Sequence, residues 1–247
     1  AKLQKSLTRL SSGKKINNPY DDAGGLAVSM KLTSAIGRNK SVISNIQNAL
    51  SFAEVQDGAL QSSATIINRM SELKSLSLDV IKSSADVANY DVEFKALQQQ
   101  LHSIATEKFN GVSLFATDAS SGTFGTNVVN VTIFTSDQGG SGSVVSLSKG
   151  LLLSALNFTS ASDTTNVAVG TANSKSLANA SGSTKVAISE LSIGFFTKAL
   201  ENVATLRATN AAGMARLQLA EDHARLTKAN LEAANSRIMD VDVAEES

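Results

Sequence analysis

Between about residues 33 and 82, apolar residues recur at alternating steps of three and four: Ile43, Ile46, Leu50, Ala53, Leu60, Ala64 and Ile67. This is the seam of a long helix packed against a partner helix. Asp57 interrupts it, and after Ile67 the spacing shifts to Met70, Leu73 and Val80, an irregularity of the stammer type. A second helix is predicted from Val92 to Phe109, with Asp91 placed to cap its start and Asn110-Gly111 to end it. Its stripe is Phe94, Leu97, Leu101 and Ile104. Helical spacing returns from about 190 to 239, through Val203, Leu206, Asn210, Gly213, Leu217, Ala220, Ala224, Thr227, Leu231, Ala234 and Ile238. Small residues dominate the second half of this seam, so helices meeting there approach closely.

The intervening region, residues 117–189, has another character. Six of its 73 residues are charged and 25 are Ser or Thr. Val129, Val131 and Ile133 alternate with polar residues, as do Val145 and Leu147, around a Gly-rich stretch from Asp137 to Gly142. That pattern predicts a β-hairpin. Residues 158–188 fit either short strands or a mobile loop. The fold class expected is therefore mainly α with a β-rich central part (α+β): an elongated bundle of long N- and C-terminal helices, with the hairpin and a small variable region at its outer end. Residues 1–116 and 190–247 make a discontinuous helical domain, and 117–189 make the central β-rich part.

Composition narrows the function. The 247 residues carry no net charge, so nothing points to nucleic acid or to an anionic lipid surface. There is no cysteine, which removes disulfides, thiolate metal sites and cysteine nucleophiles together. No run of about 20 apolar residues predicts a membrane span. Aromatic residues are 4 % with no Trp, so the core is expected to be mostly Leu, Ile, Val and Ala. A nucleotide-binding glycine loop and a nucleophile elbow are both missing from the sequence. The chain reads as a non-enzyme with no cofactor.

Two segments carry a resemblance. One runs from Arg9-Leu10-Ser11-Ser12-Gly13 through Asn17-Asn18-Pro19-Tyr20-Asp21-Asp22-Ala23-Gly24-Gly25-Leu26-Ala27, the other from Asn230-Leu231 through Ser236-Arg237-Ile238-Met239-Asp240-Val241-Asp242. Both resemble the terminal regions of bacterial flagellins. Ala53-Glu54-Val55-Gln56-Asp57-Gly58-Ala59-Leu60, Lys108-Phe109-Asn110-Gly111-Val112 and Val203-Ala204-Thr205-Leu206-Arg207 are similar to the same family. The Pro19-Tyr20 pair departs from its pattern.

The resemblance implies a structural subunit of the bacterial flagellar filament, self-assembling through long helices for motility, outside the cell or at its surface. It implies other flagellin subunits as partners, together with an export chaperone and a filament cap. It also implies that the family's extreme N- and C-terminal filament-core segments are lacking here, so that the first and last residues look like cut points. The packing residues expected are Ile43, Ile46, Leu50, Leu60, Ile67, Leu217 and Leu231, with polar contacts from Arg9, Asp21, Asp22 and Arg237. Many flagellins meet an innate immune receptor through an Arg-Val-Arg-Glu-Leu stretch. The matching positions here are Arg69, Glu72 and Leu73, with Ser71 in place of the second Arg.

Other readings compete with these. Tyr20-Asp21-Asp22 with Arg9 and Lys14 pair charges between subunits or form a solvated turn. His102 and His223, the only histidines, would need a carboxylate such as Glu221 or Asp222 to hold a metal, and neither lies in an HExxH arrangement. Asp240, Asp242, Glu245 and Glu246 lack the spacing of an EF-hand loop and read as a solvated helix end. The alternative function is a flagellin-like surface protein binding polysaccharide or host surface through the central region. Phe124, Phe134 and Phe158 are its only aromatic residues, a poor platform for sugars. A hook–filament junction protein would share the same termini.

Overall fold

The computed structural model describes residues 2–117, 122–180, 182, 184–242 and 244. Helices α1 (Lys2–Ser12), α2 (Ala23–Ser77), α3 (Ser84–Ala105) and α5 (Ile193–Met239) carry most of the chain, with a short α4 (Leu152–Ala155) and 3-10 turns at Gly139–Ser141 and Ile188–Glu190. The strands are short and paired in twos. β1 (Lys108–Phe109) pairs with β2 (Val112–Ser113), β3 (Asn130–Phe134) with β4 (Val144–Ser148), and β5 (Asn157–Phe158) with β6 (Lys175–Ser176). The architecture is mainly α with a few small strands in the central part. The chain divides into two compact units: one of residues 1–48, 133–145 and 217–247, the other of 49–132 and 146–216.

The second unit contains α3, α4 and the adjoining stretches of α2 and α5. Helix α3 begins at Ser84, eight residues before the expected start, because Ser83 and Asp86 form a reciprocal capping box. Asp91 is thus inside the helix, and its carboxylate accepts from the Ile188 N–H at 2.8 Å instead. The helix ends at Thr106 rather than at Asn110-Gly111. Those two residues have φ of 49° and 79° and form the two-residue turn joining β1 to β2. Both left-handed positions suit an Asn-Gly hairpin turn. Helix α2 stops at Ser77, where the Ser77 hydroxyl donates to the Lys74 carbonyl at 2.7 Å and the chain tightens through Leu78. Met70 and Leu73 are fully buried, but Val80 is 97 % exposed, so the seam ends before it.

Phenylalanines fill the junctions of this unit despite their scarcity. Phe94 of α3 meets Phe196 of α5 edge-on at 6.0 Å, Phe158 of β5 meets Phe195 at 4.7 Å, and Phe52 of α2 meets Phe109 at 6.1 Å. Asn166 and its surroundings are held by carboxamides. Asn166 Nδ2 donates to the Ser154 and Ala155 carbonyls at 3.0 Å, and Asn202 Nδ2 to Ala155 at 2.8 Å and to Asn166 Oδ1 at 2.9 Å. These side chains satisfy backbone groups that a longer strand ladder would have paired.

The first unit joins the two chain ends. Gly13, with φ of 66°, ends α1 in the left-handed conformation. The following residues pair antiparallel with the end of α5: Lys15 N–H donates to Met239 at 2.6 Å, Val241 N–H donates to Gly13 at 3.2 Å, and Lys14 bridges Asp240. Ile16 is buried behind this pairing. Higher up, Ser29 Oγ donates to Asn235 Oδ1 at 2.7 Å and Gln47 Nε2 to Glu221 Oε1 at 3.0 Å, tying α2 to α5. The loop between β3 and β4 docks on α2 through Arg38, whose guanidinium reaches Asp137 at 3.3 Å.

Candidate assembly surface

The turn from α1 into α2 uses its acidic residues within the chain. Asp21 accepts from the Asn17 and Asn18 N–H groups at 3.2 and 3.1 Å and pairs with Lys5 at 2.7 Å. The Lys5 hydrogen bond, helped by the two backbone donors, holds the Asp21 carboxyl below its ordinary value. Asp22 caps α2: its Oδ1 accepts from the Gly25 N–H at 2.9 Å. The Asp22 carboxylate lies so close over the helix that a Cβ on Gly25 would collide with it. Arg9 is half-buried at the end of α1, and Arg237 is exposed in the last turn of α5. These two acidic residues therefore fix the entry into α2.

The seam residues separate into two groups. Ile43, Ile46, Leu60, Ile67 and Leu217 are buried against the chain's own helices, whereas Leu50 and Leu231 are half-buried. A second set of apolar residues lies off the seam and faces outward in the first unit: Leu3 and Leu7 of α1, Met30 of α2, and Leu219 and Leu226 of α5 are all more than half exposed. Sequence reasoning missed this set because it followed only the most regular stripe. The signal was present, since Leu3, Leu7 and Leu10 are spaced four and three apart, one face of a helix.

The receptor-type residues are placed differently. Arg69 is gripped by Glu93, Nε at 2.8 Å and Nη2 at 3.2 Å, and by Glu72 at 3.2 Å. Glu93 is the larger influence raising the Arg69 pKa, and Arg69 lowers that of Glu93. Leu73 is fully buried in the second unit, so its side chain has no outer surface.

His102 is half-buried in the second unit and His223 exposed in the first. Among the described residues, no three His, Asp or Glu side chains gather as a metal site. Asp240 accepts from the Ser236 hydroxyl, while Glu245 and Glu246 lie outside the described residues. Of the central aromatics, Phe158 is buried, Phe124 half-buried and Phe134 46 % exposed. No described helix is long and apolar enough to cross a membrane.

Residues 1–120 match the family model of the bacterial flagellin N-terminal helical region, and residues 193–247 that of the C-terminal helical region. The chain is 30 % identical over 245 residues to the flagellar filament 33 kDa core protein of Treponema phagedenis, covering 99 % of this chain and 81 % of that protein. It is 31 % identical over 250 residues to flagellin FlaB2 of Treponema pallidum, with the same coverage. Polar flagellin A of Vibrio parahaemolyticus is 36 % identical over 152 residues, 61 % of this chain and 38 % of that protein.

Proposed function

The chain belongs to the bacterial flagellin family, and we propose that it is a structural subunit of the flagellar filament, assembling with other copies through the apolar residues its own fold leaves uncovered. The observation that carries this reading is the pairing of residues 13–15 with 239–241. It brings both family segments into one unit, whose helices keep Leu3, Leu7, Leu219 and Leu226 exposed. Burying such side chains against a neighbour stabilises the contact by about 25 cal/mol for each Å² of apolar surface removed from water. Asp21 and Asp22 act from within, holding α1 and the start of α2 in the geometry that presents the stripe.

The family is structural, and the chain is read as having no catalytic role. An extracellular location, an export chaperone and a filament cap follow from that reading as expected partners and place. Receptor contact through Arg69 and Glu72 would require breaking the grip of Glu93 on Arg69, and Leu73 would not take part.

The test is polymerisation. With the family's terminal segments joined to the chain, negative-stain electron microscopy after heat dissociation and cooling in high salt with short filament seeds should show long filaments of uniform width. Monomers that persist with seeds present would overturn the reading. Retardation of the protein in polysaccharide-containing gels, with no filaments formed, would favour surface binding instead.

A further inference from the structure

Within the second unit a cleft of about 230 Å³ lies between the hairpin strands and α5. One wall is a single face of the hairpin. Asn130 of β3 lines it, and so do Ser146 and Ser148 of β4, which share a face because side chains alternate along a strand. The other wall is α5, where Gly213 and Arg216, three residues apart, lie on one side of the helix. A Cβ on Gly213 would meet Leu147 Cδ1 at 2.8 Å, so the glycine lets the hairpin lie this close to α5. The donors of the cleft have no acceptor of their own. Arg38, Arg69, Arg207 and Arg225 each pair with a carboxylate, but exposed Arg216 pairs with none among the described residues. The Ser146 and Ser148 hydroxyls and the Asn130 carboxamide likewise make no hydrogen bond to a described residue. Thr209, also in the cleft, differs, since its hydroxyl donates to the Thr205 carbonyl at 3.0 Å. No Asp or Glu lines the cleft.

We propose that this cleft is a binding site for a small tetrahedral oxyanion of the phosphate or sulfate class, held by the Arg216 guanidinium from α5 and by the Ser146 and Ser148 hydroxyls from β4. A guanidinium presents parallel N–H donors on a rigid fork, and hydrogen bonds to a charged acceptor are the strong ones. The serine hydroxyls rotate to donate and approach from the strand wall, so the donor set is not confined to the plane of the fork. A tetrahedral anion has oxygens for both walls at once. A planar carboxylate satisfied by the fork has fewer lone pairs left for the serines. With no carboxylate in the lining, nothing there repels the anion or competes for Arg216. The site is open to water, so its affinity is expected to be modest and to weaken as salt screens the charge.

This inference does not rest on the filament reading. Its test is titration of the isotope-labelled whole chain with inorganic phosphate at constant ionic strength, followed by the shifts of backbone amide resonances. The amides of Ser146, Ser148, Gly213 and Arg216 should move along one saturating curve, and sulfate should give the same curve shape. Arg216→Gln should weaken binding about tenfold or more, and the double variant S146A/S148A about tenfold, with the rest of each spectrum unchanged. Arg225→Gln, an exposed arginine on the same helix, should bind as the parent does. Methyl phosphate tells a free ion from a phosphoryl group carried on another molecule: binding as tight as that of phosphate assigns the carried group, and weaker binding the free ion. Shifts that never saturate and spread over the lysines and arginines in general would overturn the proposal. So would parental affinity in the Arg216→Gln protein, or acetate binding at the same amides as tightly as phosphate.

Discussion

The two halves of α5 carry the same kind of seam and bury it differently. In the second unit Val203, Leu206 and Asn210 are all buried, covered by α2, α3 and the central segment. In the first unit Leu217 and Ala224 are buried, but Leu231, Ala234 and Ile238 remain half-covered and Leu226 is 60 % exposed. The difference lies in how many elements are available. Where α3 and the carboxamide-bound segment close over the helices, the seam becomes a core with phenylalanines at its junctions. Where α1 and a hairpin tip are the only additions, the seam stays unfinished. One region buries its seam within the chain, and the other is the surface the proposed assembly would use.

Substitutions at matched positions should expose that contrast. The largest effect is expected from Phe94→Ala, which removes a fully buried ring and its edge contact with Phe196. It should cost about 3–5 kcal/mol in urea unfolding. In the first unit Asp22→Ala deletes the α2 cap and should cost about 1 kcal/mol, read as a lower thermal midpoint.

Lys74→Met should change the pH dependence more than the stability at any one pH. The Lys74 pKa is lowered by burial from 10.5, so the unfolded chain binds its proton more readily. Stability from this group therefore rises with pH between the lowered value and 10.5, and is absent below it. The urea midpoint of the parent should rise across that window, and that of the variant should lose this part of the rise. The smallest effect on the isolated subunit is expected from Leu226→Lys, within about 0.5 kcal/mol for an exposed position. It should nonetheless abolish seeded filament growth. Filaments of normal length from that variant would mean that the exposed stripe is not the contact.

Much of the architecture was legible in the sequence because helical period survives over long stretches. The seam of α5 and the hairpin strands lie close to where alternation placed them. Helix ends were less legible. Ser83 and Asp86 carry a local capping signal that competed with Asp91, and the reciprocal geometry favoured the earlier start. Asn110-Gly111 fits either a helix end or a hairpin turn, and the β1–β2 pairing decided for the turn.

The sequence by itself determined the long helices, the central hairpin and the family, since periodicity, caps and turn residues act locally. Only the tertiary structure decided which faces are covered. Leu73 and Leu50 read alike as seam leucines, yet one is fully buried and the other half-buried. Asp21 and Asp22 read as charges for a neighbour, yet they bond the backbone of their own turn. Burial depends on what the rest of the chain brings alongside, and contacts between residues far apart in sequence leave no period to read.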